Sequence, residues 1–334
     1  MHKLRKLLSL FPKVLTCLIL IWTGVSTIID VFIVSKIVVL FIIGILFVAS
    51  IFTYFKIIVL GAGSPTDFPD LHLKNVQAAD EGQEFPPEYL VEHSITLKTN
   101  GRFRFCRACA VWKPDRCHHC SSCNKCILKM DHHCPWFAAC IGFRNQKLFV
   151  QFLIYATFYA LAVFCLNGIQ LLWWFRTKQY VRETIKISLL VVWLFSVIVL
   201  ISMLAFTSYT IYLVCKNETT IEMYEWSNYK DRMQIYNDST RMDLTYQENR
   251  FDLGSRRANW ESVMGQSWIE WLFPIITRAQ YRCRHTLDEK GLYFKVGAPL
   301  SQEIHDSMVL QANLMRRLTP KSSFDLPRDN TTIF

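Results

Sequence analysis

One stretch, Cys106 to Phe149, limits what this chain can become. It holds eight of the twelve cysteines (Cys106, Cys109, Cys117, Cys120, Cys123, Cys126, Cys134 and Cys140) and four of the nine histidines (His118, His119, His132 and His133). Lysines, arginines and aspartates surround these thiols, so no local apolar core is available to bury them as ordinary hydrophobes. Pairs of cysteines with two residues between them, in a loop facing the cytosol, suit metal rather than disulfides. Apolar runs long enough to cross a bilayer lie on both sides. The expected fold class is an α-helical polytopic membrane protein, with four transmembrane helices and a cytosolic zinc-binding cysteine-rich domain between spans two and three.

The spans follow from length and apolarity. Lys3, Arg5, Lys6 and Lys13 precede an apolar run from Val14 to Ile29, and a second run, Ile37 to Phe55, follows almost at once. No small-residue cleavage site lies between them, so two spans joined by a tight turn are expected rather than a signal peptide. Leu148 to Phe175 and Ile187 to Cys215 supply the third and fourth, each above the ~20 residues needed to cross the hydrocarbon core. A hydrophobic fraction of 51% with 19% charged residues fits spans mixed with polar loops, neither wholly soluble nor wholly embedded. The expected units are 1–60 (N-terminus and spans one and two), 61–100 (a linker over the cytosolic surface), 101–149 (the zinc domain), 148–215 (spans three and four) and 216–334 (a cytosolic tail). No internal repeat is read.

An even number of spans places the N-terminus, the Cys/His loop and the tail on one side. Lys and Arg number 4 in Met1–Lys13, 12 in Lys56–Lys147 and 16 in Lys216–Phe334, which favours the cytosol for that side. Arg176, Lys178, Arg182 and Lys186, in the loop between spans three and four, run against the trend. The net charge of +10 is assigned to these flanks, and no nucleic-acid partner is expected. In the tail, Trp268, Trp271, Leu272, Phe273, Ile275 and Ile276 form an apolar patch suited to the membrane interface. Ile304, Met308, Ala312 and Met315 recur at helical spacing, as in a helix packed on its neighbours. The sequons at Asn217, Asn237 and Asn330 are expected to stay unglycosylated.

Cys106-x2-Cys109 and Cys120-x2-Cys123 are zinc knuckles by spacing. Structural zinc takes four protein ligands, so two knuckles need four more. Cys126, Cys140, His119 and one of His132 and His133 complete two Cys3His sets. Cys117, His118, one further histidine and Cys134 remain. Pro135 pushes Cys134 towards extended backbone, where alternate residues share a face. His132 and Cys134 then point together, and His133 turns away to be the better ligand. A thiol beside an imidazole can ionise near neutral pH and act as a nucleophile. Asp131 could orient the imidazole, given a local bend.

At this point the residues match a family. Cys106-x2-Cys109-x9-His119-Cys120-x2-Cys123-x2-Cys126-x4-Asp131-His132-His133-Cys134-x5-Cys140-x4-Asn145-x3-Phe149 resembles the cysteine-rich domain of the DHHC protein S-acyltransferases. Lys113-Pro114-Asp115-Arg116, Thr219-Thr220-Ile221-Glu222 and Asn259 with Val263-Met264-Gly265 are similar to the motifs around and after it. Met264 stands where an aromatic is commoner. Gly63-Ser64-Pro65, Asp67 to Asp70, Phe251 to Ser255 and Gly291 to Phe294 are most similar to the family's fungal vacuolar-membrane branch, which implies a vacuolar location. The resemblance implies that Cys134 carries the acyl group, that His132 is its base and that Asp131 orients the base. It implies one zinc on Cys106, Cys109, His119 and Cys126 and another on Cys120, Cys123, His133 and Cys140. Thr220 would contact Asp131, and Asn259 would tie the tail to the domain. Trp136, Phe149 and Tyr159 would line an acyl cavity with Tyr159 near its deep end, and Lys113, Arg116 and His118 would receive coenzyme A. Cys117 has no family role and is read as structural.

The implied reaction moves a palmitoyl group from palmitoyl-CoA to Cys134 and then to cysteines of client proteins close to the membrane. Two rivals keep the spans and change the chemistry. A zinc-stabilised membrane adaptor would leave Cys134 inert, and transfer of label from acyl-CoA to Cys134 separates the two. A membrane RING-type ubiquitin ligase would need longer spacing between knuckles and has no use for Asp131-His132-His133-Cys134.

Overall fold

A computed structural model describes residues 2–98, 101–181, 184–228, 249–274 and 286–297. Four long helices dominate it: α1 (His2–Asp30), α2 (Lys36–Leu60), α5 (Gln146–Arg176) and α6 (Ile187–Cys215). Each is long and apolar enough to span a bilayer, from Leu10 in the case of α1. Between α2 and α5 lie two short helices, α3 (Val76–Glu81) and α4 (Glu88–His93), and six short strands. After α6 come a helix over 220–228 (α7), α8 (Arg256–Met264), α9 (Trp268–Leu272) and α10 (Leu287–Lys290).

The α1–α2 turn is held from inside the bundle. A helix end leaves its last carbonyls without partners, and Lys36 answers those of Ile28, Ile29 and Val31 with one ammonium. Gln170 of α5 accepts from the amides of Phe32 at 3.0 Å and Ile33 at 3.3 Å. Buried Asp30 accepts from Ser188 at 2.6 Å and pairs with Lys186 at 3.4 Å. One cation of the loop that runs against the positive-inside trend is therefore neutralised within the protein.

Residues 61–98 do not simply lie over the surface. Leu71, Ala79 and Leu90 form one core with Phe105, Trp112, Leu128 and Leu292. Apolar residues scattered among prolines show no period, and burial comes only when distant segments close over them. Gly63, at φ 83°, accepts from the Leu128 amide at 3.2 Å. A Cβ there would meet the Arg144 side chain at 3.0 Å, so both backbone angle and close approach favour glycine.

The cysteine-rich block is three antiparallel hairpins: β1 (Phe105–Cys106) with β2 (Val111–Trp112), β3 (His118–Cys120) with β4 (Lys125–Ile127), and β5 (His132–Cys134) with β6 (Ala139–Ile141). Here the reading of no repeat is corrected. Cys106, Cys109, His119 and Cys126 recur fourteen positions later as Cys120, Cys123, His133 and Cys140. The hairpin turns keep the period too, since Ala110, Asn124 and Ala138 take left-handed φ of 50°, 50° and 46°. The repeat escapes a composition scan because it resides in a few ligand positions and not in hydrophobicity.

The tail folds back on the spans. Asn259 donates to the Cys215 carbonyl at 2.9 Å and to Asp252 at 2.8 Å. Gln151, fully buried on α5, donates to the carbonyls of Glu270, Trp271 and Phe273, which docks α9 beside the third span. Trp268, Ile269, Leu272 and Phe273 face outwards there. Ile275, Ile276, the helix expected around Ile304 to Met315, and the sequons at Asn237 and Asn330 lie outside the described residues. Asn217 is buried, its side-chain amide donating to Phe251 at 2.7 Å and its oxygen accepting from Arg116 at 3.0 Å.

Candidate active site

Strand register assembles the metal clusters. His119 stands opposite Cys126 on β3–β4, and His133 opposite Cys140 on β5–β6. Residues directly opposite on paired strands share a face, so each pair offers one imidazole and one thiol on the same side. The first knuckle, Cys106 and Cys109, reaches the His119–Cys126 pair, and the second, Cys120 and Cys123, reaches His133–Cys140. Each hairpin's turn is thus linked to the strands of the next, an arrangement that depends on register and not on spacing alone.

The donor geometry fits zinc. Bonds of about 2.3 Å to sulfur and about 2.0 Å to nitrogen in a tetrahedron put sulfur and nitrogen about 3.5 Å apart. From His119 Nδ1 the sulfurs of Cys106, Cys109 and Cys126 lie at 3.5, 3.3 and 3.8 Å. From His133 Nδ1 those of Cys120, Cys123 and Cys140 lie at 3.6, 3.3 and 3.6 Å. Both sets are Cys3His, capable of coordinating zinc and complete without water. Cys117 is buried against the first cluster and is outside the ligand set.

Cys134 is outside both sets. It ends β5, on the face that carries His132, while His133 points to the second cluster. The contact between Asp131 and His132 is made. Asp131 precedes the strand, its amide donating to Ile141 at 2.9 Å, and its Oδ2 lies 2.7 Å from His132 Nδ1. Its Oδ1 accepts from the amide of Thr220 at 2.8 Å and from the Thr220 hydroxyl at 3.1 Å.

Burial is the largest influence on the His132 imidazole and pulls its pKa down. Hydrogen bonds to Asp131 and to Cys134, with their negative charges, outweigh it and hold the value up at about 9. For Asp131 burial acts upwards, yet His132 and Thr220 together keep the carboxyl below its usual range. The trio is therefore an ordered acid–base chain ending on a thiol.

A cavity of about 650 Å³ opens from this thiol into the helix bundle. Cys134, His132, Trp136, Phe137 and Phe149 line it beside the zinc domain, and Thr23, Tyr159, Val163, Phe195 and Ser196 line it within the bundle. Tyr159 donates to the Leu20 carbonyl at 2.6 Å and shares a hydrogen bond with Thr23 at 3.1 Å. Trp136, Phe149 and Tyr159 are thus brought to one apolar space.

Of the three residues matched to coenzyme A, two come together. His118 lines a second cavity of about 540 Å³, of mixed polar and apolar lining, with Arg104, Arg116 and Trp226, and Lys113 is not among its lining residues. Burial, aided by the charges of Arg104 and Lys113, pushes the His118 imidazole down to about 4, so it is neutral at physiological pH. Arg116 is buried and committed to the scaffold. It bonds Glu222 twice at 2.7 Å, donates to Asn217, and lies over the rings of Phe251 at 4.4 Å and Phe294 at 5.3 Å.

The sequence reading gave no role to Glu222, Tyr54 or Lys129. Tyr54 donates to the Trp136 carbonyl at 2.7 Å, and its only sequence signal was a hydroxyl in an apolar span. Lys129 is buried beside Arg116, Glu222 and Asp131, and burial foremost lowers its pKa to about 7. Asn145 clamps the turn after β6, accepting from Gly142 at 2.9 Å and donating to Cys140 at 3.1 Å.

Comparison with known proteins agrees with this geometry. Residues 99–227 match the family model of the DHHC palmitoyltransferases. The palmitoyltransferase PFA3 of Saccharomyces cerevisiae is 48% identical over 327 residues, covering 98% of this chain and 97% of its own. PFA3 of Kluyveromyces lactis is 46% identical over 94% of this chain and 97% of its own. The palmitoyltransferase ZDHHC15 of Xenopus laevis is 31% identical over 82% and 80%. With near-complete coverage at such identity, and a Cys/His-rich block between the second and third of four apolar helices, the chain belongs to the DHHC palmitoyltransferase family.

Proposed function

We propose that Cys134 carries the acyl group, that His132 moves its proton and that Asp131 holds His132 in place. Membership of the family makes the chain an acyl-CoA-dependent protein S-palmitoyltransferase working through a cysteine. The observation that supports Cys134 in that role is its position in the wall of the apolar cavity, outside both ligand sets, with His132 beside it.

Because Asp131 occupies Nδ1 of His132, the other ring nitrogen is left for the thiol. In the first half-reaction the proton shared by the pair rests on His132, whose raised pKa keeps it there, and the sulfur of Cys134 bonds to the thioester carbonyl carbon of acyl-CoA. The carbon–sulfur bond to coenzyme A breaks, and the departing thiolate takes the proton from His132. The second half-reaction reverses these roles with a client cysteine as the thiol. One thioester replaces another, so positioning and an ionised thiol matter more than driving force. The acyl chain contributes ~0.8 kcal/mol per buried methylene, which places the site against the bilayer. Two zinc ions, held by the two Cys3His sets, would supply cross-links and leave no open coordination position for chemistry.

Palmitoyl-CoA is the acyl donor, its head group received beside His118 and its chain in the cavity that Tyr159 lines. The tail contacts to the zinc domain, and the excess of Lys and Arg on that side, support cytosolic termini. Similarity to PFA3 proteins over nearly the whole chain supports a fungal vacuole membrane, with membrane-proximal client cysteines as acceptors.

Labelled palmitoyl-CoA tests the assignment. Purified protein should form an acyl-enzyme that free CoA discharges, and Cys134→Ser should abolish it while both zinc ions stay. Loss of one zinc in Cys134→Ser would place that sulfur in a metal shell and overturn the reading.

A further inference from the structure

Within the fourteen-residue repeat, Cys134 has counterparts. It follows Cys120 by the same interval that separates Cys120 from Cys106, so it occupies the slot of a first knuckle cysteine. Its hairpin keeps the knuckle turn: Ala138 has the left-handed φ of Ala110 and Asn124, and its amide donates to Pro135 at 3.0 Å. The slot of the second knuckle cysteine, filled by Cys109 and Cys123 in the other copies, holds Phe137.

Such a turn needs something to fix it, because two three-residue strands are not stable alone. The first two knuckles are closed by thiolates converging on the next hairpin, and the third has no next hairpin, since α5 begins at Gln146. Phe137 is 1% exposed. It stacks on Tyr54 at 4.8 Å and meets Phe152 at 5.2 Å and Phe149 at 5.9 Å edge-on. Tyr54 also holds the neighbouring Trp136 carbonyl.

We propose that the active-site hairpin is a zinc knuckle without its metal, in which Phe137, packed on Tyr54, Phe149 and Phe152, does the fixing that an ion does in the other two. Phe137 is then a positioning residue for Cys134, and replacing a ligand by a hydrocarbon ring is what leaves that thiol free to react. The inference rests on Cys134 as nucleophile.

Two variants test it in the full-length protein in detergent, with metal content and acyl-enzyme formation measured together. Phe137→Ala should keep both zinc ions and slow acyl-enzyme formation by about 100-fold, the usual effect of a misplaced reacting group. Phe137→Leu should restore most of the rate. Because Phe137 also lines the cavity, alkylation of Cys134 by iodoacetamide, which has no acyl chain, should show the same order of rates. Phe137→Cys rebuilds the knuckle. The two thiols, with water completing the shell because no further hairpin supplies ligands, should bind one additional cadmium ion, lose acyl-enzyme formation with that metal present, and recover when a weak chelator removes it. Unchanged alkylation in Phe137→Ala would reduce Phe137 to cavity wall, and no additional cadmium in folded Phe137→Cys would break the equivalence of the hairpins. Acylation surviving Cys134→Ser would instead remove the underlying assignment.

Discussion

Thr220 holds Asp131 twice, through its amide at 2.8 Å and its hydroxyl at 3.1 Å, both on Oδ1. Oδ2 is left for His132 at 2.7 Å. Thr220 opens α7, where unpaired amides and the helix dipole favour an anion. The segment after the fourth span thus reaches across to fix the imidazole of the site. Thr220→Val keeps the amide and loses the hydroxyl, so the rate of acyl-enzyme formation should fall about tenfold, one charge-assisted hydrogen bond being worth about 1.5 kcal/mol. Asp131→Asn should fall about 10³- to 10⁴-fold, because an amide no longer enforces the tautomer. Single-turnover rates with labelled acyl-CoA distinguish the two, and equal losses would contradict this division of labour.

The Arg116–Glu222 pair predicts an acid limit to stability. Burial acts on Glu222 to raise its pKa, but the Arg116 charge and its two hydrogen bonds outweigh that and leave it below the ordinary 4.5. A carboxyl whose folded pKa lies below its unfolded one stabilises the fold above the unfolded value. That stabilisation is lost as pH falls through the folded value. Thermal melts of wild type should therefore decline on acidification below about pH 4.5, the ordinary range of a glutamate. Glu222→Gln should be less stable at neutral pH by about 3–5 kcal/mol, since it leaves a buried guanidinium without its charge partner. The gap between the two proteins should narrow in acid. Subtracting one melt series from the other removes the contribution of protonated zinc ligands, which both share.

The two metal sites differ in access. Of the eight ligands only Cys123 is exposed, and it belongs with Cys120, His133 and Cys140. A chelator such as EDTA should strip that site first, and activity should disappear with the first ion, because His133 and Cys140 belong to the strands that carry His132 and Cys134. Cys123→Ala should lose the same ion and the same activity. Zinc release followed against acyl-enzyme yield checks this, and full activity in a preparation lacking that ion would refute the scaffold role.

The four spans and both knuckles were legible because their signals are local: length and apolarity for the first, a two-residue gap between thiols for the second. Interleaved ligand pairing was not legible from spacing, since it depends on which residues face each other across β3–β4 and β5–β6. The fold-back of 61–98 was hidden because Leu71 and Leu90 are isolated among prolines and close a core with Leu292, far along the chain. Arg116 and Glu222 are 106 positions apart, beyond any local pattern. That distance explains why the scaffold contacts of Arg116 were not legible in the sequence.

On the proposed reading, Tyr159 narrows the cavity along the path of the acyl chain. Its hydroxyl bridges Leu20 and Thr23 of α1, tying α1 to α5 across the cavity. A Cβ on Gly24 would lie 2.8 Å from that hydroxyl, so α1 approaches the tyrosine as closely as a glycine permits. Removing the ring should let longer chains extend past this point, each added methylene worth up to ~0.8 kcal/mol where it is buried. Tyr159→Ala should therefore move the preferred donor to acyl-CoA longer by a few carbons, and improve relative use of a chain two methylenes longer by about tenfold. Gly24→Leu, which pushes against the ring, should move it the other way. Competition between donors of different length for acyl-enzyme formation measures both, and a preference unchanged in Tyr159→Ala would place the chain's end elsewhere in the bundle.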